Sequence, residues 1–260
     1  MGLLLFQNKA CLVINKLPGE SSEFPEIKTD EFSESPDIIE PGGGAPGKFS
    51  QRKVFQGKTF PVHRLDMPVT GCLLLAKTKE AAAFLSKAFT RPADCGEPAK
   101  VEKRYWAIIE KPQVPGILAE KGELIHWLRE NKKANKSFAF PGDETNVEGK
   151  RKLKKAVLLY RLTGEGEHYI FLEIELITGR RHQIRAQLAA LGLHIKGDLK
   201  YGARRSEKNG GIRLHAYSLV FPNPINERET IRVETQPPEM DSLWSAYAAS
   251  LAGVNSSGFL

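Results

Sequence analysis

At 260 residues, 41% hydrophobic and 27% charged, the chain is long and apolar enough to bury a substantial core, which excludes wholesale disorder. Its formal charge of +7 favours polyanionic partners, with nucleic acid ahead of a membrane surface. Three cysteines without metal or redox spacing, and no leader, lipidation signal or apolar run of membrane length, predict a soluble protein of a reducing cytoplasm.

The charge is unevenly spread. Between Glu20 and Glu40 eight acids face the single base Lys28, so that segment carries −7 and the remainder +14. Ala10 to Asn15 reads as a short β-branched strand ending in the turn Leu17-Pro18-Gly19. Residues 20–58, acidic and then rich in Gly and Pro, read as a long loop or insertion, because so little apolar surface cannot offset the entropy of ordering. Within it, Gly42 and Gly47-Lys48 reproduce most of a phosphate-binding loop. Phe49 stands where a magnesium-binding hydroxyl is needed, and no good helix follows, so a plain loop is the reading and a nucleotide hydrolase its rival.

His63-Arg64-Leu65-Asp66 then sets an acid, an imidazole and a permanent cation directly before an apolar strand, Gly71 to Lys77. Such groups beside a core element need partners. The plain account makes Asp66 a turn cap answered by Arg64 from the surface. Thr78 caps a helix from about Lys79 to Phe89, with Ala81, Phe84, Leu85 and Ala88 on its apolar face, and Pro92 and Gly96 close that unit. Lys103 to Glu110 alternates as a strand, with Lys103, Tyr105, Ala107 and Ile109 on one face.

From Arg129 to Lys155 the chain is basic and turn-rich, densest at Lys150 to Lys155. It leads into a strand from Ala156 to Arg161, so the run either is a solvated face or lines a groove. Tyr169 to Ile177 alternates cleanly. Thr178 to Arg185 follows, and a helix carrying Ile184, Leu188 and Leu191 stops at Gly192. Arg181 and Arg185, one turn apart, are expected to project together. Gly197-Asp198 and Tyr201-Gly202 mark turns, Ile212 to Phe221 is strand-like, and Asp241 to Leu251 closes as a helix. Strands and helices mix irregularly, which predicts α+β over a doubly wound sheet.

His63-Arg64-Leu65-Asp66-x-x-Val69-Thr70-Gly71 resembles the signature of the RluA-type family of RNA pseudouridine synthases. Further stretches are similar to that family in the same order: Val13 to Gly19, Lys103-Arg104-Tyr105-Trp106-Ala107, Thr178-Gly179-Arg180-Arg181-His182-Gln183-Ile184-Arg185, Gly192 to Gly202, and Leu214-His215-Ala216. The likeness spans about residues 10–225. Leu17, where the family usually has Pro, and Leu193-His194, in place of His-Pro, depart from it at turns.

The resemblance implies a mixed, largely antiparallel sheet with flanking helices and a central basic cleft. It implies a single catalytic domain over residues 1–260, with no separate S4-type RNA-binding domain. The implied activity is isomerisation of specific uridines to pseudouridine in ribosomal RNA or tRNA, by a cytoplasmic, monomeric enzyme that needs no metal or other cofactor. Asp66 takes the place of the essential aspartate, Tyr105 of the tyrosine that packs on the base, and Arg185 of the arginine that pairs with the aspartate. The expected RNA contacts are Arg64, His63, Arg180, Arg181, Gln183, Leu214, Lys152, Lys154 and Lys155. Read from the residues alone, His63, His182 and His215 are structural, and His63 and Leu65 hold the loop.

The chemistry agrees with that assignment. Moving C1′ of a uridine from N1 to C5 needs an ionised carboxylate at the ribose, as nucleophile or as base. Burial disfavours such a charge unless a fixed cation sits beside it. A non-catalytic RNA-binding protein would need the basic surface and not the acid. The enzyme reading therefore demands that Asp66, Tyr105 and Arg185 converge in one open basic cleft.

Overall fold

The structure, a computed structural model, describes residues 2–22, 58–90, 101–112, 118–142 and 153–251. The strands are β1 (Leu3–Gln7), β2 (Cys11–Lys16), β3 (Phe60–Pro61), β4 (Thr70–Ala76), β5 (Glu102–Glu110), β6 (Lys121–Asn131), β7 (Lys136–Phe140), β8 (Lys154–Glu165), β9 (Tyr169–Leu176), β10 (Leu214–Pro222) and β11 (Thr230–Glu234). They join in one sheet of order β1-β2-β4-β10-β5-β9-β8-β6-β7, with β11 on β10 and β3 on β4. The pair β4–β10 is parallel and the other pairings are antiparallel. The predicted mixed, largely antiparallel α+β architecture is the one found.

Helices cover both faces, and strand alternation decides which side chain meets which helix. Leu12 and Ile14 of β2, Leu73 and Leu75 of β4, and Tyr105, Ala107 and Ile109 of β5 point to one face. There they pack with Ile184 and Leu188 of α2 (Gln183–Ala190). Cys11, Val13, Cys72, Leu74 and Ala76 point to the other, against Ala81, Leu85 and Ala88 of α1 (Lys79–Thr90). Farther along that second face, Trp106, Ile108 and Phe171 meet Trp244 and Tyr247 of α3 (Ser242–Leu251). Thr78 caps α1 as the sequence predicts, its Oγ1 accepting from the Ala81 amide at 3.1 Å; Asp241, read as the first residue of the last helix, caps it instead, its Oδ1 accepting from the Trp244 amide at 3.0 Å.

Five strands, β1, β3, β6, β7 and β11, are missing from the sequence reading. The basic, turn-rich stretch after Arg129 instead holds the hairpin β6–β7, whose turn places Asn135 at φ 47°. Charged Glu123, Arg129 and Glu130 dilute its alternation because much of the hairpin is wet. β1 has no alternation to read, and β11, though alternating, is only five residues long. Residues 23–57, which hold most of the acidic segment and the Gly42–Lys48 loop, lie outside the described residues, as do Pro92, Cys95, Gly96 and Lys150 to Lys152.

Strand β10 sits between β4 and β5 and so joins the two halves of the sheet. At the seam Thr70 is paired with His215, whose ring is fully buried. Burial pushes His215 down to about 4, so the neutral ring donates from Nε2 to the Thr235 carbonyl (3.0 Å) and accepts the Thr70 hydroxyl at Nδ1 (2.8 Å). Gly71 lies opposite Ala216 with φ 115°, and a Cβ there would fall 2.3 Å from the Ala216 carbonyl oxygen. Both the torsion and the contact require glycine. Gly71→Ala is expected to cost about 3 kcal/mol, read as a lower urea midpoint at unchanged slope.

Candidate active site

The loop between β3 and β4 carries Asp66, and its backbone is pinned on several sides. Ser22 Oγ donates to the Leu65 carbonyl (2.8 Å) and accepts from the Leu65 amide (2.9 Å). The Met67 carbonyl accepts from the Gly19 amide (2.8 Å) and from Lys16 Nζ (3.0 Å), and the Pro68 carbonyl accepts from the Ile212 amide (3.1 Å). His63 stacks on Phe89 at 4.6 Å and accepts the Leu74 amide at Nε2 (2.9 Å). Burial, with Lys103 nearby, pushes the His63 ring down to about 3, as an acceptor requires. These ties fix where Asp66 can point.

Asp66 Oδ2 accepts from Arg185 Nη1 at 2.9 Å. Arg185 is buried on α2, and its other edge forks onto Asp198, with Nε to Oδ2 at 2.6 Å and Nη2 to Oδ1 at 2.8 Å. Its guanidinium carbon also lies 4.8 Å from the Tyr201 ring centre. Burial opposes this charge, but Asp198 and then Asp66 more than offset it and hold the guanidinium above its ordinary range. Asp198 is itself only 1% exposed. The expected Arg185–Asp66 pair is thus present, while the bidentate grip belongs to Asp198, which the sequence reading treated as a turn residue. An acid directly after glycine, in a turn next to an Arg-bearing helix, was the available signal.

Lys16 is the second unforeseen member, with no exposed surface. Its ammonium donates to the Leu17 (2.8 Å) and Met67 carbonyls, behind the Asp66 loop. Burial pushes it down to about 8, against the pull of Glu20 and Asp66.

Asp66, Tyr105 and Arg185 line one cavity of about 250 Å³, together with Leu214, Arg64 and the stretch Gly179 to Arg185. Tyr105 forms a wall from β5. Burial first, and the Asp66 charge second, raise its phenol above the ordinary range, so it rests protonated. Arg64 and Arg180 stand exposed at the rim, the latter donating from Nε to the Lys155 carbonyl (3.1 Å), and Lys154 and Lys155 are exposed at the start of β8. The convergence demanded by the sequence is met.

Other expected contacts are tied to the protein. Gln183 is buried, accepting from the Thr178 hydroxyl (2.8 Å) and the Arg180 amide (2.9 Å) and donating to the Val157 carbonyl (3.0 Å). It staples the loop before α2. Arg181 precedes the helix and reaches Glu130 and Asn135 of the β6–β7 hairpin, while Arg185 reaches Asp66 and Asp198. The one-turn helical spacing assumed between the two arginines does not hold, because Arg181 lies before the helix and His182 takes a left-handed conformation, yet both line the cavity. Among the described residues, no cluster of His, Cys, Asp and Glu could hold a metal ion, and no helix is long and apolar enough to cross a membrane.

The family described as RNA pseudouridylate synthase matches residues 45–190. The tRNA pseudouridine synthase C of Haemophilus ducreyi is 35% identical over 196 residues, covering 71% of this chain and 74% of that protein. An uncharacterised RNA pseudouridine synthase of Zymomonas mobilis is 34% identical over 188 residues, 71% of this chain and 77% of its own. Among solved structures, human RNA pseudouridylate synthase domain containing 4 superposes with a TM-score of 0.62 at 21% identity, over 96% of this chain and 93% of that one. That likeness is one of fold.

The charge cluster yields a stability test. Asp198→Ala leaves a buried guanidinium with one acid and is expected to cost about 3–5 kcal/mol. Asp66→Asn leaves Arg185 its fork and is expected to cost only about 1 kcal/mol. Urea unfolding of the two variants checks that ranking.

Proposed function

The chain belongs to the RNA pseudouridine synthase family, whose members isomerise uridine to pseudouridine in RNA, and we propose that Asp66 is the residue that performs the chemistry here. The observation that carries this reading is the partly exposed Asp66 carboxylate, held by the buried Arg185 inside a cavity walled by Tyr105. Substrate and product are isomers. The N1–C1′ bond breaks, the uracil turns, C5 bonds to C1′, C5 loses a proton and N1 gains one. Asp66 starts this either by attacking C1′ or by taking a ribose proton, and both routes need a carboxylate that is charged, fixed and open on one side. The geometry supports all three conditions.

The uridine must leave its stack to reach the cavity, at a cost of a few kcal/mol. Tyr105 offers a stacking face that returns about 1–3 kcal/mol. Its phenol rests protonated, which suits a wall against the base; removing the C5 proton would first require losing its own. Arg64, Arg180, Lys154 and Lys155 are proposed to take the flanking phosphates, with a salt dependence that follows from counterion release. Gln183, His63 and Arg181 act in this reading by holding loops. Leu214 packs beside the base.

Transfer RNA is the first substrate class to test, because several relatives carry the name tRNA pseudouridine synthase C. The site is complete within one chain, which supports a working monomer, and the buried free thiols of Cys11 and Cys72 suit the cytoplasm. Asp66→Ala and Asp66→Asn are expected to abolish pseudouridine formation while RNA affinity stays within a few-fold of wild type. Pseudouridine mapping in a deletion strain complemented with each variant reads this directly. Normal modification by either would overturn the assignment.

A further inference from the structure

His182 is one of two non-glycine residues with positive φ among the described residues, at φ 53° and ψ 27° on the N-terminal edge of α2. A left-handed backbone costs a β-carbon-bearing residue about 1–2 kcal/mol, so something must over-determine it. No side-chain cap bond is formed there. What the conformation achieves is to turn the imidazole, 8% exposed, beneath Asp66.

The two oxygens of Asp66 have different neighbours. Oδ2 is held by Arg185, and Oδ1 faces His182 Nε2 at 3.7 Å. On the far side of the ring, Nδ1 lies 3.0 Å from the Tyr201 hydroxyl. That hydroxyl also sits 2.8 Å from the Ser137 amide and 3.1 Å from its carbonyl, so it is fixed against the edge of β7. The charged and titratable groups facing His182 are Asp66, Arg185, Arg181, Lys200 and Tyr201. Burial, reinforced by the three cations, outweighs Asp66 and pushes the ring down to about 4, so it is neutral at physiological pH.

A neutral imidazole carries one N–H. A bare Nε2 lone pair opposite a carboxylate is repulsive, whereas Nε2–H opposite Oδ1 is attractive, so the Asp66 charge favours that tautomer; the single Tyr201 proton then turns from the Ser137 carbonyl toward Nδ1, while the hydroxyl still accepts the Ser137 amide. The 3.7 Å separation is longer than a hydrogen bond, as is common for catalytic contacts before substrate closes the site.

We propose that His182 is a positioning residue for Asp66, whose Nε2–H steadies Oδ1, the oxygen that Arg185 leaves free to react, with the Asp66 charge selecting the tautomer and Tyr201 holding the far side of the ring. This rests on the assignment of the chemistry to Asp66. The Nε2–H bond tightens as the ribose reaches Oδ1, so its loss lowers the rate of the chemical step and spares RNA binding.

The test uses the full chain and release of tritium from 5-tritiated uridine in bulk tRNA and ribosomal RNA isolated from a strain lacking the gene. His182→Phe is expected to lower kcat about 10–100-fold with KM within about threefold of wild type, the range found when a supporting partner is removed. His182→Gln, which restores an N–H donor, is expected to recover most of that loss. Tyr201→Phe is expected to lower kcat without moving KM, and to add little in the His182→Phe background. Should His182→Phe fail to fold by circular dichroism, His182→Gln and Tyr201→Phe carry the same comparison of kcat with KM. Wild-type kcat in a folded His182→Phe or Tyr201→Phe, or equal losses in His182→Phe and His182→Gln, overturns the proposal. If Asp66→Asn also retains activity, the assignment of Asp66 falls first; if Asp66→Asn is inactive, the inference about His182 fails alone.

Discussion

The site depends on one buried guanidinium shared by two acids. Arg185 reaches Asp66 with a single nitrogen because Asp198 has already claimed the other edge of its fork. A guanidinium gripped only by Asp66 would follow that side chain wherever it moved. Anchored on Asp198, it is a fixed charge, and Asp66 comes to it. The arrangement trades a desolvation cost of several kcal/mol per ion for a preset electrostatic field. Lys16, buried behind the loop, completes a cluster of two acids and two bases that is close to neutral as a unit.

Much of this was legible in the sequence, and the legible parts share a cause. β2, β4, β5 and β9 face packed helices or sheet core, so their alternation or apolar run is strong, and Tyr105 fell on the correct face by counting in twos. Asp66 and Arg185 were found through motifs, since neither would stand out by composition. Legibility failed where water dilutes the pattern, as in the β6–β7 hairpin, and where a residue's partner is remote. Asp198 stands 13 residues from Arg185, and Lys16 reaches a carbonyl 51 residues away. No local rule reports such distances. For Arg181 the spacing premise failed: helical spacing was assumed across His182, and its left-handed backbone stops the helix short of Arg181.

The histidines show how one residue type is put to separate uses by its neighbours. His63 and His215 are both buried enough to stay neutral; His63 holds a backbone amide at Nε2, and His215 engages both ring nitrogens across a strand seam. His182 is neutral for the same reason, yet one of its nitrogens faces a carboxylate rather than a backbone group. Burial alone would not have separated them; the identity of the atom opposite Nε2 does.

The seam at Gly71 has a consequence for the order in which the molecule comes together. Strand β10 enters the sheet beside β4, a pairing that closes a loop of about 145 residues, as the Thr70–His215 hydrogen bond spans. Contacts this remote form slowly, after local hairpins have already gained their own stability. On the ribosome, β4 emerges long before β10, so the loop bearing Asp66 and the helix bearing Arg185 are both made before the strand that locks them in register exists. The cavity is therefore completed only once β10 has been made. A truncated or stalled chain lacking β10 has neither the seam nor the Leu214 wall of the cavity.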